Sequence, residues 1–185
     1  MLLAAVGWLA CGTFDAHAQG SQRSEYEVKA AFLPLFAQFV KWPPMSFADT
    51  NAPLVIGILG DDPFGEALDR AVKNLNAVDN RKLVIKRSRK VADVKSCHVL
   101  FICKSEKDRL DQILADIAGG GGAVLTVGDT DGFAARGGMI NFVLRENKVR
   151  FEINRDAAAH RNLCISSELL SLANIVAAKN NLEPK

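Results

Sequence analysis

The sequence predicts an α/β fold: one layered sheet with flanking helices, mostly parallel strands, and a C-terminal antiparallel hairpin over residues 139–153. Three observations predict it. Short apolar runs alternate with amphipathic stretches between residues 54 and 128, as repeated strand–helix units require. GGMINFVLRENKVRFEIN, residues 137–154, breaks that alternation with two runs of period two around a central Glu-Asn pair. The 185 residues suffice for one domain with a real core, and no internal repeat or low-complexity linker divides them.

The chain opens on MLLAAVGWLACGTFDAHAQG. Residues 2–10 are almost wholly apolar, and Ala16-His17-Ala18 offers a small-x-small processing site. Residues 1–18 therefore read as a cleaved secretory signal peptide, and 19–185 as the exported domain. The apolar run would rise only about 14 Å as a helix, against a hydrocarbon core of about 30 Å. The usual positive start is missing; a lipidated Cys11 is the alternative, which Trp8 three residues earlier suits poorly.

Residues 24–41 carry a helical stripe of Tyr26, Ala30, Leu33, Ala37 and Val40, widened by Phe32, Phe36 and Phe39. Pro34 lies inside it and predicts a kink or two shorter helices, because an interior proline costs about 3 kcal/mol. LVIGIL (54–59) reads as a strand covered on both faces. Asp62 and Pro63 then predict the cap and first position of a helix over 64–75. KLVIKR (82–87) and CHVLFIC (97–103) are further strands, the first nearer an edge. Ser105 is the expected cap of a helix over 106–118, GGGG at 119–122 a flexible turn, and AVLTVG (123–128) the next strand. A turn at Glu146-Asn147 pairs Leu144 with Val149, Phe142 with Phe151 and Ile140 with Ile153 on a core face. It leaves Val143, Arg150, Asn141, Glu152, Met139 and Asn154 on the other. Asn154 can cap 155–162, Ser166 or Ser167 can cap 167–178, and the tail 179–185 reads as loose.

Cleavage would remove one acid, Asp15, leaving 23 basic and 20 acidic side chains, a formal +3. That is solubility charge without a basic block, so no nucleic-acid partner is expected. Three cysteines would remain: Cys97, Cys103 and Cys164. In an oxidising compartment these are disulfide candidates. Cys97 and Cys103 bracket a strand and would lie about 20 Å apart, too far for a bridge that needs about 7 Å. Cys164 with either one, or three small buried thiols, are the readings left open.

Reactive constellations are sparse. GILGDDPFG, residues 57–65, lies between a strand and a helix but fits neither a dinucleotide nor a Walker pattern, and its two carboxylates would repel phosphate. Cys97 and His98 point to opposite faces of a strand and do not converge on a metal. GDTDG at 128–132 lacks a full calcium ligand set, and no serine sits in a nucleophile elbow. No catalytic, cofactor or metal residue is assigned, and an enzyme is not expected. Two surfaces stand out instead. Tyr26, Phe32, Phe36, Phe39 and Trp42 exceed what one packing stripe needs and are candidates for a partner or self interface, or else a helix wrapped by its own domain. Asn141, Arg150, Glu152 and Asn154 form a candidate polar face for a ligand or partner.

The residues also carry a resemblance. Glu27-Val28-Lys29-Ala30-Ala31-Phe32-Leu33, Phe39 to Pro43, Ile56-Gly57, Asp61 to Gly65, Cys97 to Ile102, Leu125 to Asp129, Gly132-Phe133, Gly137 to Phe142, Phe151 to Asn154 and Ile165 to Ser167 resemble, in order, the YfiR-like family, DUF4154. The resemblance implies a sheet flanked by helices and a tendency to dimerise. It implies a periplasmic protein that binds the sensor domain of a membrane diguanylate cyclase and holds cyclic-di-GMP synthesis down, with release under redox or envelope stress and sequestration by an outer-membrane lipoprotein. Two departures bear on this. The cysteines do not give two bridges, and Pro34-Leu35 stand where the family often has Tyr-Asn. The alternative is a small-molecule sensor that uses the polar face around Asn141 and Arg150.

Overall fold

The computed structural model describes residues 15–177, with side chains from residue 25 onward. The elements are α1 (Asp15–Gln38), β1 (Val40–Lys41), β2 (Leu54–Leu59), α2 (Glu66–Leu75), β3 (Ala77–Val78), β4 (Arg81–Ser88), α3 (Val91–Val94) and β5 (Val99–Ile102). There follow α4 (Leu110–Gly119), β6 (Leu125–Gly128), β7 (Ile140–Arg145), β8 (Lys148–Ile153), α5 (Arg155–Ala159), β9 (Cys164–Ile165), α6 (Ser167–Ser171) and β10 (Asn174–Ile175). Short 3-10 turns cover Pro44–Ser46 and Lys104–Arg109.

Eight strands form the main sheet in the order β10-β8-β7-β6-β5-β2-β4-β3, and β1 pairs with β9 in a small antiparallel ribbon. Strands β4, β2, β5, β6 and β7 run parallel. In order of appearance they lie second, first, third, fourth, fifth, the doubly wound arrangement that covers both sheet faces with helices. The predicted α/β class holds, with the hairpin of β7 and β8 closing the sheet on one side.

Period two sorts the interior into two cores. Val99 and Phe101 of β5 join Leu33, Phe36 and Ala37 of α1 and Leu68 of α2 in one core. Leu100 and Ile102 join Leu110, Ile113 and Ile117 of α4, Val94 and Phe133 in the other. The hairpin register is the one the alternation demanded: Ile140 opposes Ile153, Phe142 opposes Phe151, and Leu144 opposes Val149. Glu146 and Asn147 both have positive φ, 50° and 57°, as a two-residue type I′ turn requires.

Four expectations are corrected. α1 continues through Pro34 as one helix, which overturns the two shorter helices given as one of the two outcomes of that proline. Leu33, Phe36 and Ala37 around the proline are fully buried, and at about 1.5–3 kcal/mol for each large side chain this burial offsets the proline's cost. α2 begins at Glu66, because the Asp62 carboxylate accepts the N–H of Phe64 and folds a turn ahead of the helix. Ser105 does not cap α4; its hydroxyl accepts the N–H of Asp61 and ties two strand ends together. α6 stops at Ser171, and the residues expected to prolong it form β10, parallel to the end of β8. Residues 1–14, most of the expected signal peptide 1–18, and the tail from 178 lie outside the described residues.

Candidate protein-binding site

α1 crosses the hairpin through aromatic contacts. The Phe36 ring lies 5.4 Å from Phe142 and 5.3 Å from Phe151, and Phe32 lies 5.7 Å from Phe151. Phe36 is fully buried, so among the interface candidates it is corrected to a core residue. Phe32 is only half-buried, and Val28, one turn earlier, is exposed. The hairpin tip presents an exposed Leu144 at the same height. Between them runs a groove of about 500 Å³, lined by Val28, Phe32, Leu144 and Val149 and rimmed by Glu25, Asn147, Lys148 and Arg150. A second concavity, about 590 Å³, lies against Val143, Arg150, Leu172 and Asn174.

The other aromatic candidates lie elsewhere. The Tyr26 hydroxyl donates to Asp129 at 2.7 Å, just past the carboxyl end of β6. Trp42 packs edge-on to His98, which precedes β5 at the opposite end of the strands, and Phe39 packs half-buried on the first core. The five aromatics therefore do not form one surface.

The polar face is corrected as well. Asn141 and Asn154 are buried. Asn154 accepts the N–H of Ala157 as the cap of α5 and donates to the carbonyl of Ala134, so its amide is structural. Asn141 donates to Glu152 at 3.4 Å, and Glu152 in turn accepts from Arg145 at 3.1 Å. Only Arg150 of the four is exposed, which leaves no open pocket built from all of them.

One cluster went unseen in the sequence. Lys29 is 2% exposed, and its ammonium lies 2.8 Å from a nearly inaccessible Asp129 and 2.5 Å from Glu25. It also sits 4.4 Å from the Tyr26 ring centroid. Burial, followed by the hydrogen bond to Asp129, pushes the tyrosine's pKa well above its ordinary value. These groups engage one another through Asp129 Oδ2 and fasten α1 to the strand ends, while Asp129 Oδ1 stays buried without a hydrogen-bond partner. Glu25 and Lys29 at i, i+4 were the visible signal; Asp129 lies 100 residues away.

The disulfide candidates are unpaired: Cys97 and Cys103 are buried free thiols and Cys164 is an exposed one. Cys97 belongs to the second core and Cys103 to the first. Cys164 stands opposite Lys41 in the β1–β9 ribbon. Desolvation lifts the Cys97 thiol to a pKa of about 11. His98 is a pin between segments: its Nδ1 accepts the N–H of Val55, and its Nε2 faces the Ser46 carbonyl, as a donor in the neutral tautomer. Phe47 stacks on its ring at 4.4 Å. Desolvation holds its pKa below the usual imidazole value. Asp61 and Asp62 are held by Arg89 and Arg87 at the surface. Among the described residues no group of three His, Cys, Asp or Glu is placed to hold a metal ion, and no helix is long and apolar enough to cross a membrane.

The sequence pattern of the YfiR/HmsC-like family (DUF4154) matches residues 26–174. The chain is also similar to a conserved domain protein from Vibrio cholerae O1 biovar El Tor, at 14% identity and a TM-score of 0.50, over 83% of this chain and 59% of that one. A weaker likeness, TM-score 0.45 and 10% identity, is to the ABC domain in complex with L-Trp from Streptococcus pneumoniae, over 84% of this chain and 60% of that one. The chain spans about three-fifths of each solved chain, and at such identities the first likeness speaks for the fold alone. No curated protein matches this chain.

Proposed function

The chain belongs to the YfiR/HmsC-like family, and from that premise we propose that it is a non-enzymatic binding protein of the periplasm that restrains diguanylate cyclase signalling. It docks on the periplasmic sensor domain of a membrane diguanylate cyclase, or a similar receptor, and by binding the inactive form lowers the active population. The observation that carries this reading is the family match across residues 26–174, nearly the whole of the described chain. The groove between α1 and the hairpin supports it with a surface: Val28 and Leu144 are 41% and 51% exposed, apolar side chains that gain by being covered. Export by cleavage of residues 1–18, self-association as a homodimer, and capture by an outer-membrane lipoprotein belong to the same reading.

The test has a cellular and a purified arm. Deleting the gene should raise cyclic-di-GMP, and deleting the cognate cyclase as well should abolish the rise. The purified protein should bind that cyclase's isolated periplasmic domain at one to one. An unchanged cyclic-di-GMP level together with no binding would refute the reading.

A further inference from the structure

The hairpin's outer strand is left half covered. β10 pairs with β8 only at Glu152 and Ile153, so among the described residues the first part of β8, from Lys148 to Arg150, has no strand on its outer side. Main-chain groups alternate in direction along a strand. Asn154 donates its N–H to Met139 on the β7 side, whereas the carbonyl of Ile153 accepts from Val176 on the β10 side. By that alternation Val149 turns its N–H and carbonyl outward, beyond the point where β10 ends its pairing. The Val149 carbonyl accepts only a long bond, 3.4 Å, from the guanidinium of Arg150 in the same strand, so an incoming strand can replace it, and an edge of this kind is a template for another strand.

The two faces of this edge differ. On the α1 side lie Val149, Leu144, Phe32 and Val28 around the 500 Å³ groove. On the other side lie Arg150 and Val143 with the exposed Leu172 around the second concavity. Lys148 and Arg150 have no acidic partner among the described residues, while Arg145 is already held by Glu152. A second copy of the same edge would set Lys148 and Arg150 against like charges, which disfavours self-pairing. A strand with apolar residues toward α1 and acidic residues toward Arg150 suits the two faces.

We propose that the open edge of β8 at Lys148–Arg150 takes up an extended segment of a protein partner by strand addition, with apolar residues toward α1 alternating with acidic residues toward Arg150. This rests on the reading that the protein acts by docking, and it names the mode. Val149 supplies the main-chain bonds, the α1 groove reads the apolar positions, and Lys148 and Arg150 read the acidic ones.

The probe is a short capped peptide alternating valine and glutamate, with a valine–lysine peptide as its control, added to the purified protein at millimolar concentration. Amide exchange at residues 148–151 should slow with the glutamate peptide, and the lysine peptide should bind at least about tenfold more weakly. Val149→Pro deletes the outward N–H without touching the β7–β8 ladder and should abolish the protection. Arg150→Glu, at an exposed site, should weaken the glutamate peptide about tenfold or more and serves if the proline variant misfolds. No slowing at 148–151, equal binding of both peptides, or full binding by folded Val149→Pro would overturn the proposal. So would protection that grows with protein concentration alone, which would assign the edge to a second copy, or protection released on removing residues 178–185, which would assign it to the chain's own tail. Peptide binding with no binding of the cyclase domain would leave the edge standing and remove the functional reading. Cyclase binding unchanged in folded Val149→Pro would do the reverse.

Discussion

The ammonium of Lys29 is buried, and its charge is met by Asp129 and Glu25 at 2.8 and 2.5 Å. A buried pair adds little net stability over apolar residues of the same size, yet breaking it leaves an uncompensated charge. Asp129→Ala should therefore lower stability by about 3–5 kcal/mol, whereas the double variant Lys29→Met/Asp129→Leu should lose much less. Denaturant midpoints of the two check it; an equal loss in both would mean that shape, not charge, holds the site. His98 gives the second expectation at this scale. Its pKa is lowered in the fold by desolvation, so the unfolded chain takes up the proton first on acidification. Its contribution is complete above the ordinary value of 6.5 and is lost as pH falls from there toward the lower folded value. His98→Gln should flatten stability in that window, as read by denaturation at several pH values. Little of this was legible beforehand. His98 was expected inside a strand over 97–103 but lies just before β5, and its bonds to Val55 and Ser46 join segments 43 and 52 residues apart, which no local pattern encodes.

Elements were legible wherever periodicity fixed them. The hairpin was readable to the residue, because slipping by one would exchange Phe142 and Phe151 for Asn141 and Glu152 in the core. Its turn holds an unused margin. Glu146 occupies the left-handed region at φ 50°, where a residue other than Gly, Asn or Asp is strained. Replacing Glu146-Asn147 by Asn-Gly should raise stability by about 1 kcal/mol, measured as a higher urea midpoint with unchanged slope. The loop before the hairpin carries the opposite sensitivity. A side chain at Gly138 would meet the Phe133 ring at 2.1 Å, and one at Gly128 would meet it at 2.5 Å. Phe133 is itself fully buried, so the ring has no room to retreat. Gly138→Ala should cost about 1–3 kcal/mol by overpacking. What periodicity could not give was termination. The side chains of Asp62 and Ser105 looked like helix caps; Asp62 instead closes a local turn on the N–H of Phe64, and Ser105 accepts from Asp61, a partner set by how two strand ends meet.

Across the whole molecule, alternation of strand and helix announced the class, but the order of the strands came from packing. The two-residue strands β1, β3, β9 and β10 are too short to carry any period, and the open edge of β8 exists only because β10 is so short. The same sheet makes both cores, since Val99 and Phe101 of β5 face one and Leu100 and Ile102 face the other. Neither core can come apart without stripping a face from the strands that hold the second, which favours one cooperative transition. The thiols are placed to report this. Cys103 lies in the first core, Cys97 in the second, and Cys164 is exposed on β9. Burial also raises the pKa of both interior thiols, which slows attack by leaving little thiolate. A maleimide added to the native protein should label Cys164 promptly and spare the other two. Along a urea series, Cys97 and Cys103 should become reactive together, at the midpoint seen by circular dichroism. Exposure of Cys97 well before Cys103 would show that the α4 side opens alone, and the two cores would then be separate folding units.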